Sequence, residues 1–395
     1  MGEVTVIKGH ESVGGRFGIL DALRGFAGLA VVLFHLMEAY EPQGVPVVPG
    51  HGYLAVEFFL LLTGFVLGHA YDARWRKGLG VGAFFRRRLV RLHPMAVLGT
   101  VVGLLVYLFL DLSEGRYFGM AGAGPGQVAA AALLAVLMIP VAGHGALNPF
   151  NACSWTLYYE YVANILYAVV LRRLATPALL ALTVVAGAWS AVTALNVDLN
   201  ATFGTANAVW AEVAKGNCTL VGGWSLSAKQ VYIGFVRTLF PLFLGLFLAR
   251  RNWRIILPAK VAFPLCLGVF AAVLFCPCSY TLGAGVGMPW LNGVFEWLSV
   301  AVVLPVLMLI GAGSAMPNAR LDAVGRFFGE LSYPLYMTHF PFHTLQISLV
   351  AMYYAADPGW VFVVATAVQF ALSVALGWTA MRFVDEPVQR MFKRR

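Results

Sequence analysis

The chain has 395 residues, of which 60% are hydrophobic and 11% charged, with a mean hydropathy of +0.78. Soluble domains carry nearer a quarter of charged residues, so this composition excludes one and specifies a membrane protein. The net charge of +9 is no nucleic-acid signal, because the basic residues cluster in short segments between apolar runs, as cytoplasmic loops do.

The apolar runs last about 17–25 residues without period-2 alternation, which selects helices over a barrel. Residues 1–16 are mostly polar, and no small-residue cleavage site follows a short apolar region. The first span, 17–37, is therefore expected to stay in the membrane behind a cytoplasmic tail. It carries Asp21, Arg24 and His35. Ionisable groups at that depth are costly and mark a functional site. Arg24 and His35 are eleven residues apart, almost three helical turns, so they share a face at about 16 Å along the axis.

Span 2 is expected at 52–70, and the basic stretch Arg74–Arg91 after it is expected inside. Span 3, at 94–111, begins after Pro94. The weakly hydrophobic run 127–141 is short for a crossing. If it crossed, Arg172–Arg173, the RRNWR cluster at 250–254 and the C-terminal RMFKRR could not share a side with the first basic stretch. It is therefore read as re-entrant or interfacial. Spans then follow at 156–171, 177–195, 231–249, 258–277, 295–315, 329–353 and 360–383. The expected fold class is an all-α membrane protein of about ten transmembrane helices with both termini cytoplasmic. Residues 1–395 form one membrane unit, with 384–395 as a C-terminal tail and no loop long enough for a second domain.

The five cysteines, Cys153, Cys218, Cys266, Cys276 and Cys278, form no CxxC pair and no zinc-ligand spacing. They read as buried or loop thiols. A bridge from Cys218 to Cys276 or Cys278 stays open only in an oxidising compartment. No HExxH or comparable ligand spacing occurs, so no metal is expected.

Five stretches carry a resemblance. LDALRGFAGLAVVLFH, with Arg24 and His35, resembles the opening of the acyltransferase 3 family of membrane O-acyltransferases. AVEFFLLLTGFVL (55–67) is similar to the family's second-helix pattern, with Thr63 where Ser is usual and Glu57 where Asp is common. FFRRRLVRLHP (84–94) is similar to its basic motif, with Arg88 and Arg91 as the RxxR pair. SWTLYYE (154–160) resembles its Ser-Trp-Ser-Leu-x-x-Glu motif, with Thr156 for the second Ser. FGELSYPLYMTHFP (328–341) and FVDEP (383–387) match its C-terminal signatures, and the hydrolase-like domain fused to some relatives is not expected here.

The resemblance implies a bacterial inner-membrane enzyme that moves an acyl group, most simply acetyl, from cytoplasmic acyl-CoA to a hydroxyl of an extracytoplasmic carbohydrate. Acyl-CoA would be a co-substrate and no cofactor would be tightly bound. Polysaccharide-assembly proteins are candidate partners, and nucleic acid is not one. Acylation of a small secondary metabolite such as a macrolide is an alternative within enzymes, and a transporter or channel is the alternative of another class.

The residue roles follow from the resemblance and the expected topology. His35, at the outer end of span 1, is the candidate general base. Glu160 or Glu57 would fix its tautomer. Arg88 and Arg91 would bind the phosphates of acyl-CoA, and Arg24 would serve the thioester, a CoA group or Asp21. Ser154 and Trp155 fall at the acceptor end, where Trp155 either stacks on a sugar or belongs to the interfacial aromatic belt. His339 is a second candidate lining the channel at mid-depth of span 9. His343 is expected at the interface and His93 to be structural. No Ser or Cys sits beside a candidate base in a recognisable nucleophile setting, so direct transfer in a ternary complex is expected over an acyl-enzyme, with an acyl-His35 left open.

Overall fold

A computed structural model describes residues 5–8, 16–110, 120, 122–214, 219–277, 289–353 and 359–393. Sixteen helices account for most of them: α1 (Gly18–Glu38), α2 (Ala55–Arg76), α3 (Val81–Leu110), α4 (Pro125–Val136), α5 (Trp155–Val169), α6 (Thr176–Ala194), α7 (Leu199–Phe203), α8 (Ala208–Ala214), α9 (Ala228–Arg251), α10 (Ala259–Phe275), α11 (Pro289–Leu298), α12 (Leu304–Gly313), α13 (Ala319–Thr338), α14 (Phe340–Tyr353), α15 (Trp360–Ala380) and α16 (Glu386–Lys393). Seven of the helical segments are long and apolar enough to cross a membrane. A π-turn at Ser299–Val303 joins α11 to α12, and another at Met381–Asp385 joins α15 to α16.

Three features depart from the expected spans. First, α3 runs through Pro94 and starts well before it, so the basic motif is helical. A proline forfeits one backbone hydrogen bond, a loss that a helix packed among others tolerates. Second, the expected span 329–353 is two helices, α13 and α14, broken at His339. Pro341 has no N–H for the Met337 carbonyl, which instead accepts from Asn151 Nδ2 at 2.7 Å. Third, a short antiparallel ladder interrupts the all-α pattern: β1 (Thr5–Lys8) pairs with β2 (Trp253–Ile256), Thr5 opposite Ile256 and Lys8 opposite Trp253.

That ladder brings the N-terminal segment to the RRNWR cluster, and the other basic segments meet at the same end. Arg250 donates to Asp72 at 2.7 Å and to the carbonyls of Leu171 and Leu174 at 2.9 Å. The Arg172 guanidinium lies 4.1 Å over the Trp75 ring, and that of Arg86 lies 5.3 Å over Phe392. The basic ends of α3 and α5 thus lie at one end of the bundle. Helix α4, at twelve residues, is only about 18 Å long, well short of the ~30 Å hydrocarbon core.

Small residues set the close helix pairs, as is usual where apolar burial alone gives no preference between helix and lipid. Added Cβ atoms at Gly25 and Gly28 of α1 would meet Phe328 and Ser332 of α13, and one at Gly329 would meet Asp21. Likewise Gly64 of α2 and Gly245 of α9 each abut the partner helix's backbone, at Leu242 and Leu61. The α2–α9 pair is locked by Glu57 and Arg237, whose two contacts are 2.5 and 3.1 Å, with both side chains almost fully buried. Arg237 also donates to the carbonyls of Gly222 and Tyr53.

Removing one member of such a pair strands a buried charge. Arg237→Met is expected to cost about 3–5 kcal/mol, read as a large drop in the thermal melt in detergent. Arg86→Met, at an exposed position, is expected to leave the melt unchanged. An Arg237→Met melt overlaying wild type would contradict a structural role for the pair.

Candidate functional site

The face shared by Arg24 and His35 lies against α13, and the glycines of that contact let both side chains reach it. At the basic end Arg24 Nη2 donates to the Gly329 carbonyl at 3.1 Å and to Ser332 Oγ at 3.3 Å, while Nη1 lies 3.5 Å from Asp21. Here lies a cavity of about 400 Å³ whose lining includes Arg16, Arg24, Arg88, Arg91 and Glu160. Arg88 is buried and donates to Glu160 at 2.5 Å, whereas Arg91 is exposed. Thr156, Tyr336 and Met337 also line it.

Thr156 and Tyr336 link its lining to Cys153. Thr156 donates to the Tyr336 hydroxyl at 3.1 Å, and the Tyr336 hydroxyl donates to the Cys153 carbonyl, also at 3.1 Å. Directly beyond lies a cluster of His35, Glu38, Cys153, His339 and His343. His35 Nδ1 is 2.5 Å from Glu38 Oε2, and His35 Nε2 is 3.2 Å from Cys153 Sγ. His339 stacks on His35 at 5.4 Å between centroids, and its Nε2 lies 3.7 Å from the same sulfur. The helix break positions this second ring: the carbonyl of Tyr336 accepts from His339 Nδ1 at 2.9 Å. A carboxylate and a carbonyl can only accept. His339 therefore holds its proton on Nδ1 and turns a basic Nε2 toward the thiol, and an ionised Glu38 sets His35 the same way.

Exposure gives the cluster a direction. Cys153 is 2% and His339 1% exposed, against 20% for the His35 side chain and 33% for Glu38. The exposed side of the cluster is thus that of Glu38. Burial, and secondarily the Glu38 carboxylate, hold the Cys153 thiol well above its ordinary pKa, so it stands as S–H. Cys153 Sγ and the two Nε2 atoms all lie within 4.8 Å of one another, a donor set of the kind soft divalent cations use.

The structure brings His35 and His339 together, and gathers Arg24, Arg88, Arg91 and Glu160 around the cavity. It parts the others from the places expected of them. Glu160 serves Arg88 and Glu57 serves Arg237, so the group on His35 Nδ1 is Glu38 instead. Ser154 is buried, and its hydroxyl donates to the Asn151 carbonyl at 2.7 Å. Trp155 is covered, with the Arg237 guanidinium 4.9 Å over its ring. His343, expected at the interface, is partly buried, with its ring 5.6 Å from that of His35. His93 Nδ1 is 3.1 Å from the Tyr161 hydroxyl. The expectation that no nucleophile adjoins a base fails at Cys153, which lies 118 residues from His35 in sequence. Cys266 is buried and Cys276 partly exposed, both as free thiols. Cys218 and Cys278, with the alternative bridge between those loops, fall outside the described residues.

Comparison with known proteins gives two matches. The family described as an acyltransferase domain, acyltransferase 3, matches residues 17–378. A Rhizobium radiobacter protein named "Protein 2 in picA locus" is 32% identical over 165 residues, covering 39% of this chain and 81% of that protein. No solved structure matches the chain.

Histidine-selective nitrogen NMR checks the geometry. His35 and His339 are both expected as the Nδ1–H tautomer. In Glu38→Gln the His35 signal is expected to divide between tautomers while His339 keeps its own. An Nε2–H tautomer for either ring in the wild type would contradict the arrangement.

Proposed function

The chain belongs to the acyltransferase 3 family, and on that premise we propose an O-acyltransferase that carries an acetyl group from cytoplasmic acyl-CoA to a hydroxyl of an extracytoplasmic carbohydrate. The observation that carries this reading is the contiguity of two unlike compartments. An arginine-lined cavity and a histidine cluster are neighbours, because Thr156 and Tyr336 of the cavity lining are hydrogen-bonded to each other and Tyr336 to the Cys153 carbonyl of the cluster.

The basic end is the cytoplasmic one by the positive-inside rule. This reading gives ten crossings with both termini inside, in the bacterial inner membrane. Acyl-CoA approaches that end with its phosphates at the exposed Arg91, since guanidinium forks suit phosphate oxygens. Its thin pantetheine arm follows the cavity past Arg24, which leaves the phosphates outside the hydrocarbon. The Arg88–Glu160 pair shapes the cavity wall. The thioester then arrives at Tyr336, next to the cluster.

At the far end the acceptor hydroxyl comes in past Glu38, on the open side. His35 Nε2 takes its proton as the oxygen attacks the acyl carbon, and Glu38 holds the ring in the tautomer that can do so. His339 presents a second Nε2 to the same space. Ser154, Trp155 and Glu57 enter as the scaffold that holds the start of α5 and the α2–α9 pair, because their partners are protein groups. Acyl-CoA is consumed as a co-substrate, and polysaccharide-assembly proteins would present the acceptor.

Two variants separate the compartments. His35→Ala is expected to lower transfer by about 10²–10⁴-fold, the usual contribution of a positioned general base, with acyl-CoA binding nearly intact. Arg91→Ala is expected to raise the KM for acyl-CoA about tenfold with kcat retained, since a charge-assisted contact contributes roughly 1.5–3 kcal/mol. Near wild-type transfer by inserted His35→Ala would place the base elsewhere. An unchanged KM in Arg91→Ala would remove that residue from the donor site.

A further inference from the structure

The transfer reading leaves Cys153 without a task, although its thiol sits where the two compartments meet. We propose that Cys153 is a transient acyl carrier: the acyl group passes from acyl-CoA to Cys153 Sγ as a thioester, and from there to the acceptor hydroxyl. The proposal rests on the acyl-transfer reading and adds a covalent intermediate to it.

Three independent observations carry it. The first is the nucleophile–base–orienter geometry, with Cys153 Sγ 3.2 Å from His35 Nε2 and His35 Nδ1 2.5 Å from Glu38. That is the relation by which a weak nucleophile is activated. The second is position relative to the donor. Thr156 and Tyr336 both line the cavity, and the Tyr336 hydroxyl, which accepts from Thr156, donates to the Cys153 backbone carbonyl at 3.1 Å. The residue that bears the thiol is thus hydrogen-bonded directly to the lining of the cavity. The third is how firmly the thiol is set. Its short turn, Ala152–Ser154, is tied by the Ser154 hydroxyl to the Asn151 carbonyl, and Asn151 in turn donates to the Met337 carbonyl freed by the helix break. A buried cysteine kept only for packing needs neither a base at hydrogen-bond distance nor two rings with their basic nitrogens turned to it.

The chemistry closes without a further reactant. His35 Nε2 takes the Sγ proton as sulfur bonds to the acyl carbon. The carbon–sulfur bond to CoA breaks, and the departing CoA thiolate takes the proton back from the imidazolium. One thioester replaces another, so the step is near balance. His35 then takes the proton of the acceptor hydroxyl as its oxygen bonds to the same carbon. The Cys153 carbon–sulfur bond breaks, and the thiolate recovers that proton. The carrier lets the acyl group change compartments while the CoA stays in its cavity and the acceptor stays outside.

The test uses the full chain in detergent or nanodiscs with acetyl-CoA radiolabelled in its acetyl group. Without acceptor, the wild type is expected to take up label that survives denaturation, is released by neutral hydroxylamine and is discharged when acceptor is added. Cys266→Ala is expected to keep that label. Cys153→Ala is expected to lose it and to transfer about a hundredfold or more slowly, with acetyl-CoA binding retained as evidence that it is folded. In Cys153→Ser, any label is expected to resist neutral hydroxylamine, as an oxygen ester does. A wild type that transfers but never carries label overturns the carrier and leaves the transferase reading standing, whatever Cys153→Ala does. Label that persists in Cys153→Ala does the same. Stoichiometric zinc in an unlabelled wild type, lost in Cys153→Ala, would make the cluster a metal site and likewise overturn it. A wild type that neither labels nor transfers overturns both readings.

Discussion

The contact between α1 and α13 decides where Arg24, His35 and His339 sit relative to one another. Two helices meet closely only where neither carries bulk, and here Gly25, Gly28 and Gly329 supply the gap. The approach lets one face of α1 act at two depths. Arg24 reaches the Gly329 carbonyl and Ser332 near the basic end, while His35 stacks on His339 beyond the cavity. A side chain at Gly25 or Gly28 would push the helices apart, and the separation would be felt at both compartments together. The site is thus a property of one interface rather than of two motifs.

The break between α13 and α14 is the second constraint, and it follows from one missing donor. Without an N–H on Pro341, backbone carbonyls near the end of α13 lack helical partners, which a membrane interior does not tolerate unpaired. Asn151 takes the carbonyl of Met337, and His339 Nδ1 takes that of Tyr336. Each repair has a consequence for chemistry. The first anchors the turn that carries Cys153, and the second fixes the tautomer of His339. Backbone satisfaction and site organisation are here the same set of hydrogen bonds.

The helices were largely legible in the sequence because hydropathy registers them directly. The edges of α1, α6, α9 and α10 fall within a few residues of the expected spans. The shared face of Arg24 and His35 was legible too, since it needs only helical periodicity. Pairings across helices were not. Glu57 and Arg237 are each visible as ions within apolar runs, a signal of function or pairing, yet nothing local says that they belong to each other. Glu38 stands three residues after His35, a spacing that allows contact, but an acidic residue there reads equally as the polar end of a span. Cys153 directly precedes the SWTLYYE stretch and carries no motif of its own. Its role becomes visible only when α1, the start of α5 and the break after α13 are brought together.

The central claim is that donor and acceptor meet this molecule from opposite sides, through a cavity at one end and a histidine cluster at the other. Sidedness measures it directly, in sealed vesicles of both orientations that carry acceptor only in the lumen and receive acetyl-CoA only outside. Inside-out vesicles, which turn the basic end outward, are expected to acylate the enclosed acceptor, and right-side-out vesicles are expected to be inactive. Transfer that instead requires acetyl-CoA and acceptor on the same side of the membrane would contradict the account.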